Sequence, residues 1–135
     1  MQTDYTVVIT GGSTGIGADL CHHYIEAGYT VISLARKTLD WEHERLVQMQ
    51  VDLLDEAATA AAATTIAAHH QVTHFIHNAG VIWPNLLEDV SLSELQGLTQ
   101  IHLGAAIQLM QAFVPHMRSR QFGRVVFMSS RGALW

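Results

Sequence analysis

The stretch TGGSTGIG, residues 10–17, constrains this chain more than any other. It sits between a short β-branched run, TVVIT at 6–10, and a segment in which Ile16, Leu20, Tyr24 and Ile25 recur at helical spacing until Gly28. Glycines at such a junction let the backbone turn tightly, approach a ligand closely and pack the helix against the sheet. The helix N-terminus adds unpaired N–H groups and about half a positive charge, a setting suited to a phosphate. The turn therefore predicts a pyrophosphate cradle, with a ligand-free glycine turn as the plain alternative. A nucleotide-hydrolase phosphate loop requires Lys after its last glycine, and here Ala18 and Asp19 follow Gly17, which excludes that chemistry.

The rest of the chain alternates in the same way. Residues 30–35 (TVISLA) predict a second strand, a short polar helix or loop covers 39–45, and 46–51 predict a third strand. Residues 55–69 are Ala-rich and free of Gly and Pro, which predicts a helix. A fourth strand over 72–77 ends in Asn78-Ala79-Gly80. Ser91 with Glu94 forms a capping box for a long helix whose apolar side carries Leu95, Leu98, Ile101, Leu109 and Phe113. Pro115 is expected to kink that helix or end its regular bonding. Gly123 precedes a fifth strand over 124–128, and Ser129 and Ser130 follow it. Strands alternating with helices imply right-handed crossovers and a doubly wound parallel α/β sheet, with ligands at the carboxyl ends of its strands. The glycine turn, Asn78-Ala79-Gly80 and the two serines all fall at such ends.

At 135 residues the chain has the length of one domain, residues 1–135, and its 49% hydrophobic and 14% charged content is that of a folded protein. A net charge of −5 argues against nucleic acid as a partner. One cysteine, Cys21, permits no intrachain disulfide. Neither a signal peptide nor a membrane span is evident, so a cytoplasmic location is expected. Among nine histidines, His69, His70, His74 and His77 invite a metal reading, but no nearby Cys or spaced carboxylate completes a tetrahedral set, and no metal is expected.

TGGSTGIG, the later Asn78-Ala79-Gly80 and the Ser129-Ser130 pair, in this order, resemble the short-chain dehydrogenase/reductase family from Thr6 to Ser130. The resemblance implies a Rossmann-like sheet and a nicotinamide cofactor whose phosphates lie against Gly11, Ser13, Thr14, Gly15, Ile16 and Gly17. It places Asp52, with Leu53 beside it, at the adenine, and Asn78, Ala79 and Gly80 at the adenine ribose and central strand. Where an NAD-binding fold carries a carboxylate for the ribose hydroxyls, this chain has Ala35 followed by Arg36 and Lys37. Arg36 can pair with a 2′-phosphate, which favours NADP over NAD, whereas ordinary loop charges are the alternative.

The resemblance makes Ser130 the catalytic serine, which bonds a substrate carbonyl while a tyrosine moves a proton and a lysine lowers that tyrosine's pKa. Those two belong to a YxxxK motif on the helix after the fifth strand. This chain has Tyr5, Tyr24 and Tyr29, none followed by Lys four residues on, and its one lysine is Lys37. In the long helix, His102 stands where the family commonly has an asparagine that interrupts helix bonding and orders a water of the proton relay. The expectation is the N-terminal portion of an NADP-dependent oxidoreductase acting on a carbonyl or secondary alcohol, incomplete at the C-terminal side with about five strands. Alone it is expected to be inactive, to form homo-oligomers, and to expose Val125, Val126 and Phe127 on an apolar edge. A noncatalytic NADP-binding or interaction protein is the rival reading.

Overall fold

In the computed structural model, which describes residues 2–130, strands and helices alternate as the hydrophobic pattern predicts. The strands are β1 (Thr6–Thr10), β2 (Thr30–Ala35), β3 (Leu46–Gln50), β4 (His74–His77) and β5 (Arg124–Phe127). The helices are α1 (Gly15–Glu26), α2 (Glu56–His69), α3 (Leu92–Thr99) and α4 (Ala105–Arg120), with a π-helical turn, Gln100–Gly104, joining the last two. All five strands are parallel, in the order β3-β2-β1-β4-β5. The chain winds one way from β1 and then the other, so the crevice of a doubly wound sheet opens between β1 and β4.

Both faces of the sheet are covered, which is why β1 and β2 are apolar runs rather than alternating ones. Val8, Ile32 and Phe75 point to one side, where they pack with Ile66, Leu109 and Phe113. Val7, Ile9, Val31 and Ile76 point to the other, against Cys21 and Ile25 of α1. The alanines of α2 keep that helix slim, and Ala62 and Ala63 are buried in the same cluster as α4. Asp55 caps α2 by accepting from the Ala58 amide at 3.0 Å, and Ser91 caps α3 by accepting from the Glu94 amide at 3.1 Å.

Residues 39–45 take the loop alternative rather than the helix. The structure departs from the sequence pattern at several points. β4 starts at His74 rather than Val72, because the Thr73 hydroxyl takes the place of a ladder partner and accepts from the Thr6 amide at 3.0 Å. Pro115 does not end its helix; it lies exposed on α4, which continues to Arg120. A proline removes one backbone donor, and on an outer face the carbonyl it leaves can be hydrated. Leu95 is 53% exposed and α3 buries no residue, although Ile101, Leu109 and Phe113 are buried. The π-turn explains this: its extra residue rotates α3 out of phase with α4, so one apolar stripe cannot run through both. All four residues of β5 are exposed, with Val125, Val126 and Phe127 between 41% and 53%. No helix among the described residues is long and apolar enough to cross a membrane.

Candidate functional site

A cleft of about 230 Å³ lies over the carboxyl ends of β1 to β4. One wall is the glycine turn. Gly11 has φ +67°, a conformation that L side chains rarely adopt, and a Cβ there would press on Ala79 Cα at 3.0 Å. A Cβ on Gly17 would overlap the Gly11 carbonyl. Gly15, at φ +52°, has open space where its side chain would be. Thr14 precedes α1 in an extended conformation and makes no side-chain cap. Ser13 and Thr14 line the cleft, and Ile16 is 59% exposed beside it.

The turn is tied to the opposite wall through Thr10 and Asn78. The Gly11 amide donates to the Leu34 carbonyl at 2.8 Å, and Asn78 Nδ2 donates to the Gly11 carbonyl at 3.2 Å. Thr10 is fully buried, and its Oγ1 accepts from the amides of Asn78 and Ala79 at 2.9 and 3.0 Å. Ala79 and Gly80 thereby reach the cleft while Asn78 braces it from behind. At the outer end, Ala35, the last residue of β2, leads Arg36 and Lys37 into the cleft wall. They give it local positive charge on a chain whose net charge is −5. Asp52 and Leu53 close that end; Asp52 Oδ1 accepts from the Leu54 amide at 3.0 Å, which fixes the turn after β3.

Two sequence candidates lie elsewhere. His102 is exposed on the π-turn beside the cleft, with Nε2 at 3.0 Å from the Val81 carbonyl, and a Cβ on Gly80 would overlap its ring. The helix takes its π-turn at this point, with the Ala105 amide donating to the Gln100 carbonyl. Ser130 is exposed past the end of β5 and is not part of the cleft wall. Tyr5 and Tyr29 pack with His74 at the opposite, amino-terminal end of the sheet, and Tyr24 packs on Tyr29. The sequence pattern assigned no site role to Thr10, Val81 or Ile101, the last two in the cleft wall. Thr10 had a local signal, a hydroxyl ending a buried apolar strand; Ile101 had none.

Burial sets the protonation of the groups beneath the cleft. Cys21 is buried with its Sγ 3.5 Å from the Gly12 carbonyl, and burial pushes its thiol up to about 11 despite a hydrogen bond involving Ser33. It is an inert core thiol at neutral pH. His77 is held below the ordinary histidine range, mainly by burial. Among the described residues, no three His, Cys, Asp or Glu side chains gather as a metal site would require.

A parallel sheet whose strand order reverses at a glycine turn, with that turn opening a helix into a cleft, defines a Rossmann-like nucleotide-binding domain. The model of the short chain dehydrogenase family matches residues 5–134, and the chain belongs to that family. A benzil reductase ((S)-benzoin forming) of Bacillus subtilis is 31% identical over 132 residues, covering 93% of this chain and 54% of the relative. A short-chain dehydrogenase crystal structure from Streptomyces avermitilis superposes with a TM-score of 0.89 at 28% identity, over 97% of this chain and 51% of that one. A metagenomic short-chain oxidoreductase in complex with NADP gives 0.83 at 28% identity, over 96% and 63%. The chain thus spans about half the length of the curated relatives it matches.

Proposed function

We propose that this chain forms the NADP-binding part of an oxidoreductase that moves hydride between the nicotinamide and a carbonyl or secondary alcohol. The observation that carries the proposal is the joining, in one cleft, of the glycine turn with Arg36 and Lys37. The residues fit the cofactor: a Cβ on Gly15 would enter open space at the head of α1, and Gly11 and Gly17 hold the backbone close behind it. In this reading Gly11, Ser13, Thr14, Gly15, Ile16 and Gly17 hold the diphosphate, and Arg36 pairs with the 2′-phosphate. Asp52 and Leu53 meet the adenine, while Asn78, Ala79 and Gly80 support the ribose and the cleft wall. NADPH supplies the hydride when bound. Ser130 is assigned to the substrate carbonyl, and His102 holds the π-turn to Val81 in place of the family's asparagine.

The B. subtilis relative's name, a reductase of benzil, supports a carbonyl substrate. The NADP complex of the metagenomic relative supports the choice of NADP over NAD. Exposed Leu92, Leu95, Leu103 and Ile107 along α3, the π-turn and α4 support a homo-oligomer, and a single cysteine, Cys21, is in keeping with a reducing, cytoplasmic setting. A second reading, an NADP-binding or interaction protein without catalysis, shares the same cofactor cleft. Titrating NADPH into the chain tests the shared claim, because a ligand of the folded state raises the melting temperature. A rise with NADPH, and hydride transfer to carbonyl substrates at background, is the expected pair of results. No thermal response at millimolar NADPH would refute the cofactor assignment.

A further inference from the structure

Beneath the cleft, the Thr10 hydroxyl has three partners, which is the most it can serve. Two are backbone amides, Asn78 N at 2.9 Å and Ala79 N at 3.0 Å, and both can only donate. They occupy both lone pairs of Oγ1, leaving it one proton to give. The third partner is His77 Nδ1 at 2.9 Å, so that nitrogen must be bare and accept. The other end of the ring agrees: Nε2 lies 2.9 Å from the Ile101 carbonyl, which can only accept, so Nε2 must carry the hydrogen. Proton counting therefore leaves one consistent state, a neutral imidazole protonated at Nε2. It bridges β1 and the Asn78-Ala79 segment to the π-turn, joining two residues of the cleft wall, Ala79 and Ile101.

We infer that His77 is a positioning residue for the cofactor cleft, a latch that holds Ala79 and Ile101 in place while its ring is neutral and releases them when the ring takes a proton. This rests on the reading that the cleft holds NADP. A proton on Nδ1 would face an oxygen with no lone pair to offer, so the Thr10 bonds and the His77 bond could not all persist. Among the described residues no carboxylate reaches the ring to stabilise the cation. The rings of Phe75 and Phe127 lie 5.9 and 6.1 Å away, and the titratable group whose charge reaches His77 is His102 on the π-turn, another base. Nothing titratable faces it from β1, where the contact is Thr10. Burial and then the His102 charge lower its affinity for a proton, and the backbone carbonyls of Ile101 and His102 oppose them without prevailing.

The test pairs nitrogen-15 NMR of the imidazoles with NADP⁺ affinity, both followed between about pH 5 and 8, the range in which histidines titrate. His77 should show an Nε2–H tautomer and a titration midpoint below the ordinary histidine value. NADP⁺ affinity should fall through that midpoint by about fivefold or more, a usual size for coupled sites. A phosphate monoester also titrates near pH 6, so the decisive comparison is with His77→Gln, whose amide can accept from Thr10 and donate to Ile101 without titrating. That variant should bind at neutral pH and lack the additional acid step, whereas His77→Phe, which keeps a ring but neither bond, should bind weakly throughout. An Nδ1–H tautomer, or an acid step unchanged in His77→Gln, would overturn the inference. NADP⁺ binding absent at every pH would refute the cofactor assignment and with it the positioning role, while the nitrogen shifts would still decide the tautomer separately.

Discussion

At Gly17 an added Cβ would run into the Gly11 carbonyl, whereas at Gly15 it would meet nothing within 4 Å. The two positions should therefore fail differently. Gly17→Ala overpacks a closed turn and should destabilise the fold by about 1–3 kcal/mol. Gly15→Ala should cost about 1–2 kcal/mol of backbone strain at positive φ, yet it should weaken NADP binding more than its stability loss alone would suggest. Thermal melts set beside NADP titrations separate the two effects, and unchanged NADP affinity in Gly15→Ala would contradict the cradle. A second residue-scale effect concerns pH. His70, His74 and His77 are all lowered from 6.5, each chiefly by burial, with like charge from His69, from Arg124 and Arg120, and from His102 respectively. As pH falls through 6.5 the unfolded chain gains protons before the folded one, so stability is complete above that value and declines below it until the folded histidines titrate. The melting temperature should drop on going from about pH 7.5 to 5.5, with a smaller drop in His77→Gln. A flat or rising profile over that interval would show that these rings are not held neutral.

Among the elements, β5 carries the clearest consequence. It pairs with β4 on one side, and its apolar residues are exposed on both faces. An edge of this kind templates association between chains, and a lysine on it is a known deterrent. These 135 residues should therefore self-associate, and Val126→Lys, at a 44% exposed position, should shift sedimentation toward smaller species without lowering the melting temperature. Identical sedimentation of the two proteins would place the contact elsewhere. The same scale shows what could be read from the chain. TVVIT and TVISLA could be placed to the residue because their apolar runs end abruptly at polar or glycine positions. The stripe from Leu95 to Phe113 misled, since a regular period assumes unbroken α-helix and the π-turn adds a residue in its middle. The glycine turn and Arg36 were legible because each is a local pattern at a strand end. The link from Thr10 through His77 to Ile101 was not, because it joins residues that only the folded sheet and the π-turn bring together.

For the molecule as a whole, the sheet order makes the carboxyl ends of β1 to β4 one working edge, and the chain's charge is distributed unevenly around it. A chain of net charge −5 turns Arg36 and Lys37 toward a cleft that an anion would enter. NADP affinity should accordingly weaken as salt screens these exposed cations, over a Debye length of about 8 Å at physiological ionic strength. In the proposed function, this cleft selects NADP through Arg36. Calorimetric titration of NADP⁺ and NAD⁺ against the native chain and Arg36→Asp tests it most directly. The native chain should prefer NADP⁺ by about one to two decades, the worth of a charge-assisted pair, and Arg36→Asp should lose that preference while retaining NAD⁺ affinity. Equal affinities in the native chain, or equal losses of both cofactors in the variant, would contradict the account.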